Sequence, residues 1–387
     1  MPELTLTEAA RRVDVAPATL RRWVRDGIVP LANGHWTPAA LAQARLVQRL
    51  RARGHSLDEV RRAARSGRLA FGYLEDLFPP PRRTRGVAEA AAETGLEPAL
   101  IERIWAVAGF PRESLQEIGE EDVRMLQHLA SVLDAGFPLV AFLQLVRVYG
   151  QALAQIADAE VKLFHLYVHE PLIRGGAGGL EIAEEMSDLA AELLPLASPL
   201  MDHVHQRLLA HFIAQDVVGH LESETELGRL HIGVAFADLA AYTRLTEEVG
   251  EEEALEVVER FVGAVQDTLP DDARVVKTIG DEVMIVATDP SALVDWAVGF
   301  QALYDERPLP RIGIHGGAVL YRDGDYYGRT VNLAARVGAR AAGGEVLVTR
   351  PVVEAAGRHL AFDHIGEVKL KGFDEATELF LARPREP

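Results

Sequence analysis

The spacing of apolar positions divides the chain near residue 230. Before that point apolar residues recur at helical spacing. From His231 onward, short β-branched runs alternate with helical stretches. HIGVAFADL (231–239) reads as a strand, Glu251 to Leu269 as a helix, Arg274 to Ala287 as a hairpin and Pro290 to Tyr304 as a helix. Arg311 to Tyr321 then reads as a strand, Thr330 to Arg340 as a helix and Gly344 to Thr349 as a strand, with two short strands in the tail. A β-α-β-β-α-β order predicts a ferredoxin-like core over residues 228–384. Within the hairpin, Gly280-Asp281 separates two β-branched runs and reads as a two-residue turn, with Gly supplying positive φ. A side-chain period of two sets Lys277 on the face of Val275 and Ile279, where it either reaches solvent at an edge or meets a compensating partner.

The first 221 residues read as all-helical, which makes the whole chain an α+β multidomain protein. TEAARRVDVAPATLRRWVR (7–25) gives a short apolar helix, a turn around Val13 to Pro17 and an arginine-rich second helix, the pattern of a helix-turn-helix. Asn33-Gly34-His35-Trp36 can form a wing, Thr37-Pro38 caps a third helix, and two further helices break at Gly54-His55 with Ser56 as N-cap. With Leu20-Arg21 in the second helix and R-x-x-G-x-S-L-x-E-V at Arg51 to Val60, residues 1–80 resemble the winged helix of the MerR family. That resemblance implies DNA contacts by Thr19, Arg21, Arg22 and Arg25. The wing, however, lacks the arginine such proteins usually carry.

A second copy of the pattern follows. Ala9-Ala10, Pro17, Leu20, Trp23, Gly54 and Leu57 recur as Ala90-Ala91, Pro98, Ile101, Ile104, Gly136 and Leu139. Where the first copy reads LRRWVR the second reads IERIWA, so it cannot grip phosphates in the same way. Residues 86–221 are therefore expected to form a helical regulatory domain made of this degenerate copy, a bundle and a linker helix. Phe78 to Arg83 reads as a stiff linker between the copies. The run Arg174 to Gly179 lacks the G-K-[ST] ending of a phosphate loop and reads as a flexible connection. Six of the thirteen histidines fall between His165 and His220. They read as surface imidazoles, with a metal site or pH sensing by His165, His169, His203 and His205 as the competing reading. Leu208, Leu209, Phe212, Val217, Val218 and Leu221 give an amphipathic helix leading into the last domain.

Charge separates the same regions. The formal net charge is −18, yet residues 1–85 hold 16 Arg and no Lys against 8 Asp plus Glu. A chain that is globally a nucleic-acid binder is excluded, while the N-terminal segment stays open to DNA. Only four lysines occur, and three of them, Lys277, Lys369 and Lys371, lie in the last third, at positions where Arg is not expected to substitute. Cysteine is absent, which removes disulfides and thiolate chemistry. No apolar run of membrane-spanning length stands out, and the expected setting is cytoplasmic.

Asp238 and Asp281 sit at matching strand ends, where two carboxylates can share a pair of divalent cations. F-x-D followed by Tyr242-Thr243, then K-T-x-G-D, then D-x-x-G-x-T-V-N-x-x-x-R is similar to the catalytic domain of class III nucleotidyl cyclases. The resemblance implies an adenylate cyclase acting on ATP, with two Mg²⁺ or Mn²⁺ ions on Asp238 and Asp281. It implies that Lys277 and Asp325 read the purine, in a donor and acceptor arrangement that fits adenine and opposes guanine. Asn332 would orient the ribose, Arg336 neutralise charge on the α-phosphate, and Lys369 hold the triphosphate. It also implies a homodimer with two sites shared between copies. Two departures stand out: Ala241 replaces a usual glycine, and Arg329 a small or polar residue. The competing reading is a DNA-binding regulator with a nucleotide-sensing domain. A diguanylate cyclase would need the G-G-[DE]-E-F signature, which the chain lacks.

Overall fold

The computed structural model describes residues 4–31, 34–65, 69, 81, 83–176, 179–222 and 230–385. Asn33 of the expected wing, most of the expected linker at Phe78 to Arg83, part of the glycine run and residues 223–226 lie outside the described residues. The chain divides into two compact units, Met1–Gln206 and Arg207–Pro387.

In the first unit α1 (Leu6–Val13), α2 (Pro17–Arg25), α3 (Pro38–Ala52) and α4 (Leu57–Arg65) follow the expected order. Thr5 and Glu8 close a capping box on α1, Thr37 accepts from the Ala40 N–H at 3.1 Å, and Ser56 and Glu59 cap α4 reciprocally. The pattern then repeats as α5 (Val87–Thr94), α6 (Pro98–Ala108), α7 (Glu120–Asp134) and α8 (Leu139–Phe164). Starts at 6 and 17 recur 81 residues later at 87 and 98, and starts at 38 and 57 recur 82 later at 120 and 139. Each copy closes with an isolated antiparallel bridge at the matching place, Leu4 to Trp36 and Arg85 to Ile118. Leu20 and Ile101 are both fully buried, as each core requires. α9 (Glu170–Arg174) and the long α10 (Gly179–Glu222) complete the helical half.

One expectation needs correcting here. His169 is not a surface imidazole: it is 2% exposed, and its Nδ1 lies 3.0 Å from His165 Nδ1. The cause is a π-helical turn over His165–His169, whose extra residue per turn shifts the side-chain sequence around the axis. Among the described residues Leu139–Arg174 is the one stretch long and apolar enough to cross a membrane by length and composition, and Arg147, Asp158, Glu160 and Lys162 interrupt it, so the expectation of no uninterrupted apolar run stands. Phe142, Leu143 and Val146 at its start belong to the core of the second copy.

The second unit is built on β1 (Leu230–Leu239), α11 (Tyr242–Val249), α12 (Glu251–Thr268), β2 (Ala273–Ile279), β3 (Glu282–Ala287), α13 (Pro290–Leu303) and β4 (Pro310–Arg322). β5 (Asp325–Tyr327), α14 (Arg329–Arg340), β6 (Val346–Thr349), α15 (Arg350–Ala355), β7 (Leu360–Val368) and β8 (Thr377–Pro384) follow. Strand order is β2-β3-β1-β4-β6-β8-β7, with β5 paired to β4 alone. Its first four strands, antiparallel throughout, are the ferredoxin-like core expected from the sequence. Strand alternation sends Ala235, Ala237, Val283 and Ile285 against α12 and α13, and Val234, Phe236, Met284 and Val286 toward α14. Covered on both faces, β1 reads as an unbroken apolar run. On the α14 side the approach is backbone to backbone, because Gly313 of β4 lies against Gly338 and Val337.

Candidate active site

The hairpin β2–β3 carries the first group. Ile279 pairs with Glu282 across Gly280-Asp281, and Gly280 takes φ of 64° as the turn requires. The period-two placement of Lys277 fails, however. A bulge between Val275 and Lys277 makes Val275 oppose Ile285 while Lys277 opposes Met284. Val275 consequently packs toward α12 and α13, whereas Val276 joins the α14-side core and Lys277 faces that side with Ile279. One extra residue thus turns Lys277 to Asp325 of β5, and the ammonium donates to Asp325 Oδ2. Asp325 Oδ1 accepts from the Tyr326 N–H at 2.8 Å. On the edge strand β2 the lysine thus has a compensating partner.

At the ends of the central strands lies the second group. β1 pairs with β3 on one side and β4 on the other, so Asp238 stands directly opposite Arg311 and one step beyond the Ala237–Val283 pair. Asp281, in the turn before β3, has its carboxyl beside that of Asp238. Burial, the hydrogen bond to Asp238 and its charge push the Asp281 carboxyl up to about 7. Glu282 is raised for related reasons, burial first and Asp238 second, opposed by Arg311 and Arg336. Arg311 donates from both Nε (2.8 Å) and Nη2 to Oδ2 of Asp238, which leaves Oδ1 outside that clamp.

Two converging carboxylates that resist joint ionisation fit a divalent cation, whose charge would remove the repulsion. Among the described residues no set of three or more His, Asp or Glu side chains forms a metal cluster. A cation on Asp238 and Asp281 would therefore take its remaining oxygens from water or a bound ligand, as Mg²⁺ commonly does.

α14 carries Asn332 and Arg336 one turn apart, both exposed, while Leu333, Ala334 and Val337 bury its other face. Arg329 opens that helix, its guanidinium carbon 5.2 Å from the Phe373 ring centroid and its Nη2 4.0 Å from Glu375. Its charge is thus directed at the loop after Lys369. Lys369 itself is exposed directly after β7, beside the buried Leu370. Ala241 caps α11 with φ of 63°, the left-handed conformation that a glycine would adopt without a steric penalty.

In the other unit, Thr19, Arg21, Arg22 and Arg25 ride on α2, where Asp26 pairs with Arg22 at 3.5 Å and Arg25 at 3.4 Å. Arg61 adds a third arginine to the same carboxylate. Sequence reading missed Arg311, Glu282 and Tyr326. Arg311 becomes visible only once the β1–β4 register is known, and Tyr326 once β5 is recognised as a strand.

Residues 228–383 match the family model described as adenylate and guanylate cyclase catalytic domain, and residues 26–213 the one described as adenylate cyclase regulatory domain. An adenylate cyclase of Streptomyces coelicolor is 32% identical over 287 residues, covering 73% of this chain and 74% of that protein. The chain belongs to the class III adenylate cyclases. An uncharacterized protein of Mycobacterium tuberculosis is 32% identical over 346 residues (84% of the cyclase, 86% of that protein). A protein of the same organism named a pH-sensitive adenylate cyclase is 28% identical over 366 residues (89% of each). For residues 26–213 the regulatory-domain match is the description that holds, and it spans most of both helical copies. It begins at Asp26, immediately after α2.

Proposed function

We propose that the cyclase converts ATP to 3′,5′-cyclic AMP and pyrophosphate at sites shared by two copies of the chain, under restraint by residues 1–221. The observation that carries this reading is the β2–β3 hairpin, where Asp281 meets Asp238 at the turn and Lys277 meets Asp325 along the strand. Asp238 and Asp281 would hold the divalent cations, which would supply Lewis-acid activation of the ribose 3′-hydroxyl and charge neutralisation at the phosphates. Arg311 holds Asp238 in place through one carboxylate oxygen. Lys277 donates to a ring nitrogen of adenine and Asp325 accepts from its exocyclic amine, so guanine, with its O6 toward the carboxylate, is disfavoured.

Asn332 orients the ribose, Arg336 offsets charge developing on the α-phosphate, and Lys369 binds the triphosphate. The exposure of Asn332 and Arg336 suits a site completed by a second copy. Purified protein with ATP and Mn²⁺ or Mg²⁺ is expected to yield cyclic AMP, and Asp281→Ala to abolish it; equal turnover of GTP would contradict the purine assignment. Full-length protein against residues 222–387 measures the restraint and its sign. The input to that restraint is a small ligand of the helical half or pH acting at the His165–His169 contact. If the double replacement of these histidines leaves the pH profile of activity unchanged, the second option is eliminated.

DNA binding by the first helical copy is the second reading. The pairing of Asp26 with Arg22, Arg25 and Arg61 lowers the positive charge that α2 can offer phosphates. A gel shift at several salt concentrations with random duplex decides it.

A further inference from the structure

Arg274, on β2 opposite Val286, lies two residues before Val276, where the bulge turns Lys277. Its guanidinium lies between two rings: the carbon is 5.1 Å from the centroid of Phe212 and 5.6 Å from that of Tyr326. Its Nη2 also donates to the Tyr326 hydroxyl at 2.5 Å. Tyr326 is 7% exposed and packed among Ile232, Val234, Phe236 and Met284. Its backbone N–H holds Asp325, and Asp325 in turn holds Lys277.

This arrangement matters because β5 is three residues long and pairs with β4 alone. Two-strand pairing of that length is marginal in water. Asp325 therefore depends on the Tyr326 side chain for its position, and Tyr326 depends on Arg274 for the partner of its buried hydroxyl. Phe212, on the segment of α10 that belongs to the catalytic unit, supplies a second ring against the guanidinium. Gln215, one turn on, donates to the Asp271 carbonyl just before β2.

We propose that Arg274, braced between Phe212 and Tyr326, is a positioning residue for the Lys277–Asp325 pair, so that the helix entering the catalytic unit sets how well the cyclase holds and selects adenine. The proposal rests on the reading of Lys277 and Asp325 as the purine readers. None of Phe212, Arg274 and Tyr326 touches the nucleotide in it; each acts through the pair.

Steady-state kinetics of full-length variants with ATP and GTP test it. Tyr326→Phe is expected to raise KM for ATP about tenfold, the scale of one lost charge-assisted hydrogen bond, with kcat within about twofold. Phe212→Ala should raise KM about threefold, in line with a partly exposed cation–π contact, and Phe212→Tyr should restore it. The preference for ATP over GTP should narrow in step with KM, and Phe212→Ala combined with Tyr326→Phe should cost less than the product of the single effects. If both variants leave KM and the ATP to GTP ratio unmoved while Lys277→Ala shifts them, the pair reads purine without this support and the proposal falls. A loss of kcat and thermal stability at constant KM would mean a packing role only, which also overturns it. If Lys277→Ala and Asp325→Ala themselves change neither KM nor selectivity, the purine reading is wrong and the positioning role goes with it.

Discussion

Replacing Gly313 with alanine tests how α14, the helix bearing Asn332 and Arg336, is held on the sheet. A Cβ at Gly313 would lie 1.9 Å from the Gly338 nitrogen, 2.4 Å from its Cα and 2.6 Å from the Val337 carbonyl carbon. These are helix backbone atoms, so no side chain can swing aside. Restoring an ordinary separation of about 3.5 Å requires α14 to withdraw by roughly 1.6 Å or more. Leu333, Ala334 and Val337, all at most 3% exposed, would then lose part of their contact with the sheet. Overpacking typically costs about 1 to 3 kcal/mol, and a rigid backbone clash belongs at the upper end. For a unit of this size, about 3 kcal/mol corresponds to a fall of roughly 6 to 12 °C in the melting transition of the catalytic unit.

Gly338→Ala is the control. Its Cβ would meet Phe236 O at 3.3 Å and Phe236 Cβ at 3.4 Å, a tight but adjustable fit. Alanine in a helix interior also gains about 1 kcal/mol over glycine, so near-neutrality is expected. Calorimetry of both full-length variants, with cyclic AMP production measured alongside, checks the ranking. Gly313→Ala should also lose most activity, since a 1 Å misplacement of positioning groups costs on the order of 100-fold. Equal melting temperatures for the two variants, or an active Gly313→Ala, would refute the argument that this contact holds the helix.

Mixing the separately inactive Asp281→Ala and Arg336→Ala chains is expected to restore up to about a quarter of wild-type activity, because a random heterodimer has one intact site and is half of the population; no recovery would contradict a shared site. Metal-free Asp281→Asn should be inactive yet more stable than wild type at pH 8: a carboxyl raised to about 7 favours folding below its unfolded pKa and loses that contribution as pH rises through 7, a loss the amide avoids. Urea midpoints at pH 8 and pH 4 in a chelator measure the difference, which should vanish at the lower pH. His315, which burial and then Arg329 push down to about 4, has the opposite sign. Folding holds it neutral, so stability is complete above pH 6.5 and falls by about 3 kcal/mol between pH 6.5 and 4, a loss absent from His315→Gln in the same titration.

The catalytic half was legible in outline because its elements are strongly patterned. β1 and β3 are apolar runs sandwiched between helices, and the Gly280 turn announces the hairpin. α11, β5 and α15 were missed, being eight residues or fewer with little periodicity. The duplication in the helical half was equally readable, since glycines and prolines fix where helices start and stop: Gly54 and Gly136 both take φ of 92°. What the sequence could not disclose was anything set by register. Arg311 follows Asp238 by 73 residues and becomes its clamp only through strand pairing.

The bulge at Val276 shows why that gap matters for chemistry. Regular alternation would have kept Lys277 on the face of Val275, against α12 and α13, away from Asp325. A single extra residue reverses the face, and it costs the strand only a local break in its ladder. The same hairpin then sends Asp281 to Asp238 at its tip and Lys277 to Asp325 along its side. Deleting Val276 would remove the bulge yet leave Lys277 directly after Val275 and opposite Met284, so the Lys277–Asp325 pair and the Asp281 turn both stay in place. Such a protein is expected to keep metal-dependent turnover and the preference for ATP over GTP while losing the Val276 packing on the α14 side; a lost preference, measured by kcat/KM for the two nucleotides, would show that the face of Lys277 is not set by this register.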